Sequence, residues 1–260
     1  MSGARREFGG GREQRVSAGR GGGREERPLR SCDAGSPREA FERERRNVRR
    51  TAGPDLRVLR GNDLVQALKE RFPKKVWDPS VLLLPNPVVL VSCGSEKLKL
   101  SPDIVTVAWA GIVNTSPAMV SISLRPERHS YGIIKQTGEF VVNVPPASLA
   151  KVVDWCGMKS GREVDKFTEM RLTALPASTV GCPIVADCPV NLECKVSRTI
   201  PLGTHDLILA KVTAVQVSEE VLDKRGKLRV DYADVLSYAH GEYHKLGSRI
   251  GVFGFSVRKR

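Results

Sequence analysis

Residues Val105–Pro145 read VTVAWAGIVNTSPAMVSISLRPERHSYGIIKQTGEFVVNVP. An apolar strand runs into a glycine and an Asn114-Thr115-Ser116-Pro117 turn. A second strand, Ala118–Leu124, follows; in it Met119, Ser121 and Ser123 face one way and Val120, Ile122 and Leu124 the other. Next come the polar loop Arg125–Ser130, a helix-like stretch to Gln136 closed by Thr137-Gly138, and a third strand, Glu139–Val144. Arg125, Arg128 and Ser130 therefore stand between a rigid strand and a helix start. Planar guanidinium forks, a hydroxyl and helix N-terminal amides suit a bound anion, most plainly a phosphate. The same spacing equally fits an exposed loop with surface arginines, and spacing alone does not decide between them.

Working outward, Asn62–Arg71 carries capping residues and an apolar face of Leu64, Val65 and Leu68, which predicts a short helix ended by Pro73. The continuous apolar run Pro87–Cys93 predicts a buried strand, and Ile104–Trp109 a second one. Downstream, Ser148–Cys156 has helical spacing and Ser160–Phe167 is a polar loop opening a short helix. Segments 189–199 and 207–217 alternate like antiparallel strands joined through Pro201–Thr204. The C-terminal part, with Tyr238, Gly241 and Tyr243, reads as loop or short helix. Six or more short strands with few helices define a mainly β protein, a small antiparallel β-barrel with appended helices.

Composition divides the 260-residue chain. The first 60 residues hold 16 Arg, no Lys and 9 acidic residues, with many glycines and few apolar side chains. Such a segment buries too little surface to offset chain entropy, so residues 1–60 are expected to be a disordered Arg/Gly-rich extension and 61–260 the folded domain. The net charge of +13 raises the question of RNA. Only Phe8 and Phe41 could stack on bases in the extension, where acids are interspersed, so nucleic acid is not the expected partner. No run of 18 apolar residues occurs, so no spanning helix and no membrane partner are expected. Six scattered cysteines fit reduced thiols in a cytoplasmic protein better than a disulfide framework.

Several chemistries lack their residues. No Walker or G-x-G-x-x-G sequence and no G-x-S-x-G elbow occurs. His240 and His244 would share a helix face, but without the glutamate of H-E-x-x-H they define no metal site. Trp109-Ala110-Gly111 with Asn114-Thr115 could bed a planar cofactor; the plainer alternative is a turn in which Asn114 and Thr115 bond their own backbone. A cofactor carrying its own chemistry would need few protein acids or bases.

The ordered segments TVAWAGIVNTSPAMVSISLRPERHSY, TGEFVVNVP, CGMKSGREVDKF, CPVNLECKV, GTHDLILAKV and YAHGEYHKLG, spanning roughly Pro87 to Gly247, resemble the flavin reductase-like FMN-binding split-barrel family, in its flavoredoxin-like branch. The resemblance implies a homodimer of split barrels, each binding one FMN near the subunit interface. Position by position, Val107, Ala108, Trp109, Asn114 and Thr115 would line the isoalloxazine and ribityl chain. Ser123, Arg125, Arg128 and Ser130 would hold the ribityl and phosphate, and Lys166 and Phe167 would approach the flavin, from the same or the other subunit. His205 matches an element that lies on the nicotinamide side in flavin reductases, with Thr204 where that element carries an acid. The implied activity is hydride transfer from NADH or NADPH to FMN, with electrons passed to a free flavin, ferric iron or a protein acceptor. The alternative within the family is an FMN electron carrier reduced by a partner protein.

Overall fold

A computed structural model describes residues 57–257. The expected disorder of the N-terminal extension, and with it Cys32, lies almost wholly outside the described residues. The chain divides into two compact units, at Asp78/Pro79. In the first unit the predicted helix is present as α1 (Gly61–Arg71), a solvent-exposed helix with Asp63 in its first turn and Lys69 and Arg71 in its last, signs that suit the helix dipole.

The second unit carries β1 (Asn86–Pro87), β2 (Val89–Ser95), β3 (Leu100–Val107), β4 (Ala110–Thr115), β5 (Ala118–Leu124), α2 (His129–Thr137), β6 (Glu139–Val144), α3 (Ala150–Met158) and α4 (Lys166–Glu169). After these come β7 (Ala174–Pro176), β8 (Pro183–Val185), β9 (Val190–Pro201), β10 (Asp206–Val217), α5 (Val230–Ala233), β11 (Leu236–Ala239) and β12 (Glu242–Lys245). Seven strands form one antiparallel sheet in the order β3-β2-β6-β9-β10-β5-β4. The protein is mainly β with appended helices, as the strand count predicts.

The apolar run at β2 has a simple cause. Val89, Val91 and Cys93 enter the main core with Ile122, Phe140 and Ile208. Val88 and Leu90 point to a second core with Ile104, Val153 and Cys156 of α3, and Leu236 of β11. A strand covered on both faces has no polar side to show, so its sequence cannot alternate. Each of the largest buried side chains, such as Phe140 and Leu90, contributes about 1.5–3 kcal/mol through burial.

Polar groups pin the periphery. Asn143 donates to Leu90 O (2.8 Å) and Ser92 Oγ (3.0 Å), and accepts from Val185 N (2.9 Å) and Asn191 (2.8 Å). Ser92 in turn donates to Pro183 O (2.6 Å), so the β7–β8 hairpin is clamped to the sheet. Glu193 is fully buried and accepts from Ser178 N, Thr179 N and Oγ1, and Gln216 Nε2. Burial works against its charge, but these donors outweigh burial and hold its carboxyl at about 2. Cys93, Cys156, Cys182, Cys188 and Cys194 are buried and free. Burial pushes every one of these thiols up, Cys156 to about 11 and Cys182 and Cys194 to about 12.

Two sequence expectations are corrected. Residues 110–115, read as glycine plus turn, form edge strand β4, paired with β5 through a bulge between Ile112 and Asn114. Its Gly and Asn mask a strand whose Ile112 and Val113 face outward. The C-terminal loop or short helix is instead a β11–β12 hairpin whose two turn residues, His240 (φ 50°) and Gly241 (φ 91°), both adopt positive φ, the tight turn that matches strand twist. His240 and His244 thus do not share a helix face; His244 contacts Glu242 at 3.1 Å.

Candidate functional site

The loop after β5 is built by local bonds. Arg128 N donates to Arg125 O (3.0 Å) and Tyr131 N to Arg128 O (3.1 Å), so the Arg125–Arg128 turn runs directly into α2 with Arg128 at its N-cap. Ser123 N donates to Trp109 O (2.8 Å), which continues the β4–β5 pairing by one residue beyond Ala110 and Ile122. Between them lies a cavity of about 170 Å³ lined by Val107, Ala108, Trp109, Ser123, Arg125, Arg128, His205 and Tyr238, among others. Seven residues singled out from the sequence therefore meet at one place.

Arg128 also lines a second cavity, of about 180 Å³, with Asp103, Glu127, His129, Ser130, Lys159, Gly161 and Lys166. Its Nη1 donates to Gly157 O at 2.9 Å, which ties the β5–α2 loop to the end of α3. Arg162 repeats the tie, donating to Glu127 O at 3.0 Å. Arg125 is half-exposed and pairs with Glu127 at 2.5 Å. Arg125 and Arg128 thus stand beside the amides at the start of α2, the kind of group that suits an anion.

Ser130 is buried, and its hydroxyl donates to Asp103 Oδ2 at 2.5 Å. Lys166 is equally buried: Nζ donates to Ile104 O (2.5 Å) and Cys156 O (3.2 Å) and lies 3.5 Å from Asp103 Oδ1. That oxygen has no hydrogen-bond partner. Asp165 caps α4 by accepting from Phe167 N and Thr168 N, which delivers Lys166 inward and packs Phe167 into the second core. A Cβ at Gly161 would overlap the Asp103 carboxylate, so only glycine fits there. Asp103 has no counterpart among the residues singled out from the sequence; a buried acid in a strand leaves no periodic signal.

His205 Nδ1 lies 3.0 Å from Thr204 Oγ1. The neighbouring acid, Asp206, is buried and accepts from Tyr131 Oη at 2.6 Å. Tyr238, unassigned from the sequence, stands edge-on to Trp109 (6.4 Å, 75°) and to Tyr243 (5.6 Å, 66°), whose hydroxyl donates to Asp154 on α3 (3.1 Å). This aromatic row fixes the wall of the first cavity. Asn114 and Thr115 line neither cavity; Asn114 donates to Pro117 O (2.8 Å) within the β4–β5 turn. Among the described residues no group of three or more His, Cys, Asp or Glu could hold a metal ion, and no helix is long and apolar enough to cross a membrane.

The model of the flavin reductase like domain matches residues 81–247, well over half the chain, and the chain belongs to that family. The solved flavoredoxin of Desulfovibrio vulgaris (Miyazaki F) superposes with a TM-score of 0.65 at 28% identity, covering 71% of this chain and 98% of that one. An uncharacterized protein of Archaeoglobus fulgidus is 30% identical over 160 residues, 62% of this chain and 87% of its own. An NADPH-flavin oxidoreductase of Streptomyces viridifaciens is 31% identical over 123 residues, 47% and 58% of the two chains. The fold is the split barrel of flavin reductase-like proteins.

Proposed function

We propose that this chain binds FMN across the two cavities joined by Arg128 and acts as an oxidoreductase reduced by NADH or NADPH, with electrons leaving to a free flavin, ferric iron or a protein acceptor. The observation that carries the reading is the meeting of Val107, Ala108, Trp109, Ser123, Arg125, Arg128 and His205 around one cavity. Arg125, Arg128 and the start of α2 would hold the phosphate. The Val107–Trp109 ledge and Ser123 would receive the ring and ribityl chain, and His205 would stand on the nicotinamide side, oriented through Thr204. Bound FMN would supply hydride acceptance and one- or two-electron release.

Neither cavity alone reaches the roughly 300–1,000 Å³ of small-molecule sites. A second copy completing the site agrees with this, and the outward Ile112 and Val113 of β4 are the apolar edge on which such a homodimer would form. Asn114 and Thr115, on the same hairpin, would then reach flavin only through that assembly. Ser130 and Lys166 would act indirectly, by holding Asp103 and the backbone of β3 and α3 beneath the site.

An absorbance spectrum of purified protein, followed by anaerobic titration with NADH and NADPH, tests this reading. A flavin spectrum that bleaches with either nucleotide is expected. A second reading, an FMN electron carrier, is supported by the likeness to flavoredoxin. A flavin that stays oxidised with both nucleotides, yet accepts electrons from a separate reductase, would establish the carrier instead. Absence of bound or bindable FMN would defeat both.

A further inference from the structure

The family match ends at residue 247, and the chain beyond it has a character of its own. Residues 251–257 make a compact knob: Phe255 N donates to Val252 O (2.9 Å) and Val257 N to Gly254 O (3.3 Å). Gly254 takes the positive φ (78°) that the turn requires. The Phe255 ring lies over Gly251 so closely that a Cβ there would overlap it. All of its apolar side chains are nonetheless exposed, Phe255 among them. Ile250, Phe253 and Val257 are 93%, 104% and 82% exposed. Single exposed apolar residues are ordinary, but a run of them within eight positions is an interaction surface.

Charge says what kind. From Lys245 to Arg260 the sequence holds Lys245, Arg249, Arg258, Lys259 and Arg260 and no acidic residue. The partner must combine an apolar interior with a dense anionic rim. Nucleic acid offers the charge, but Ile250 and Val257 are aliphatic and gain little from stacking on bases. Acyl chains beneath anionic headgroups offer both halves at the right depth, because an aromatic and aliphatic tip flanked by cations settles at that boundary without crossing it.

We propose that residues 246–257, with the cations that flank them in the sequence, form an interfacial anchor that seats the protein on anionic lipid surfaces. Phe253 and Ile250 enter the headgroup boundary while the surrounding cations face lipid phosphate. An interfacial turn needs no run of 18 apolar residues, so the expectation of no membrane partner, which rested on that run, does not reach it. The anchor stands independently of the flavin reading, since none of its residues lines the flavin site.

The test is sedimentation of the full chain with phosphatidylcholine vesicles, with and without phosphatidylserine. Binding is expected to the anionic vesicles only, and to weaken with added salt. The N-terminal 60 residues are themselves Arg-rich, so the deciding variant is Ile250→Ser with Phe253→Ser, which leaves every charge in place. Both positions are almost fully exposed, so the fold should be unaffected, as circular dichroism would verify. That variant should lose partitioning by roughly tenfold or more, and so should replacement of Arg258, Lys259 and Arg260 by Ala. Equal binding by wild type and the Ile250→Ser/Phe253→Ser variant overturns the proposal. So does finding that the variant dissociates an oligomer, which would make a second copy the occupant. Loss of RNA binding without vesicle binding would overturn it as well.

Discussion

Ser130 and Asp103 are joined by a 2.5 Å hydrogen bond inside the protein, so the hydroxyl expected from the sequence to meet an anion is given to a buried carboxylate. Ser130→Ala would strip Asp103 of its hydrogen-bond donor, since Oδ1 already lacks one. A loss of roughly 1–3 kcal/mol in stability is expected, read from urea unfolding. Wild-type stability in Ser130→Ala would refute the supporting role given to this bond.

Lys166 is the only cation within salt-bridge distance of Asp103 among the described residues. Lys166→Met removes two carbonyl contacts and leaves a buried charge uncompensated, at an expected cost of about 3–5 kcal/mol. The double variant Asp103→Asn/Lys166→Met should be more stable than Lys166→Met alone, because the stranded charge is gone. If the two changes are simply additive, the residues do not act as a pair.

Arg128→Ala should lower FMN occupancy strongly while the barrel still folds, whereas Arg128→Lys should lower it less. Lysine keeps the charge but loses the planar fork and the clasp on Gly157 O. Flavin content per polypeptide after purification measures this. Full retention in Arg128→Ala would remove the phosphate assignment.

Glu193 makes a prediction about acid. Its folded carboxyl sits at about 2 against an ordinary 4.5, so the unfolded chain takes up its proton first as pH falls. The stabilisation is complete above about 4.5 and is lost progressively between there and about 2. In Glu193→Gln, stability should be lower at neutral pH and should fall less steeply across that window. An unchanged acid slope would show that the carboxylate is not the group responsible.

What the sequence disclosed follows from how local the cause is. The strand at Ala118–Leu124, the Arg125–Ser130 loop and α2 were legible because alternation, polar residues and a closing glycine act within a few positions. Edge strand β4 was hidden because Gly111, Asn114 and Pro117 read as turn residues, and its outward Ile112 and Val113 break alternation. The β7–β8 pair was invisible as three-residue strands bounded by prolines, held by Asn143 and Ser92 from distant strands. At the site, the ordered motifs singled out both His205 and the arginines, which the fold brings to one cavity. They could not reveal that Ser130 and Lys166 turn inward, since that depends on Asp103 from another strand. Tyr238 drew no role from the sequence because its value lies in facing Trp109 across the fold.

The five buried cysteines bear on how electrons in this protein can be counted. Thiols shielded from solvent and held far from their thiolate form neither exchange with disulfides nor yield readily to mild oxidants. Within the described residues the polypeptide is thus an electrochemically silent container. In a reductive titration, equivalents beyond those a flavin takes up cannot be charged to these five sulfurs.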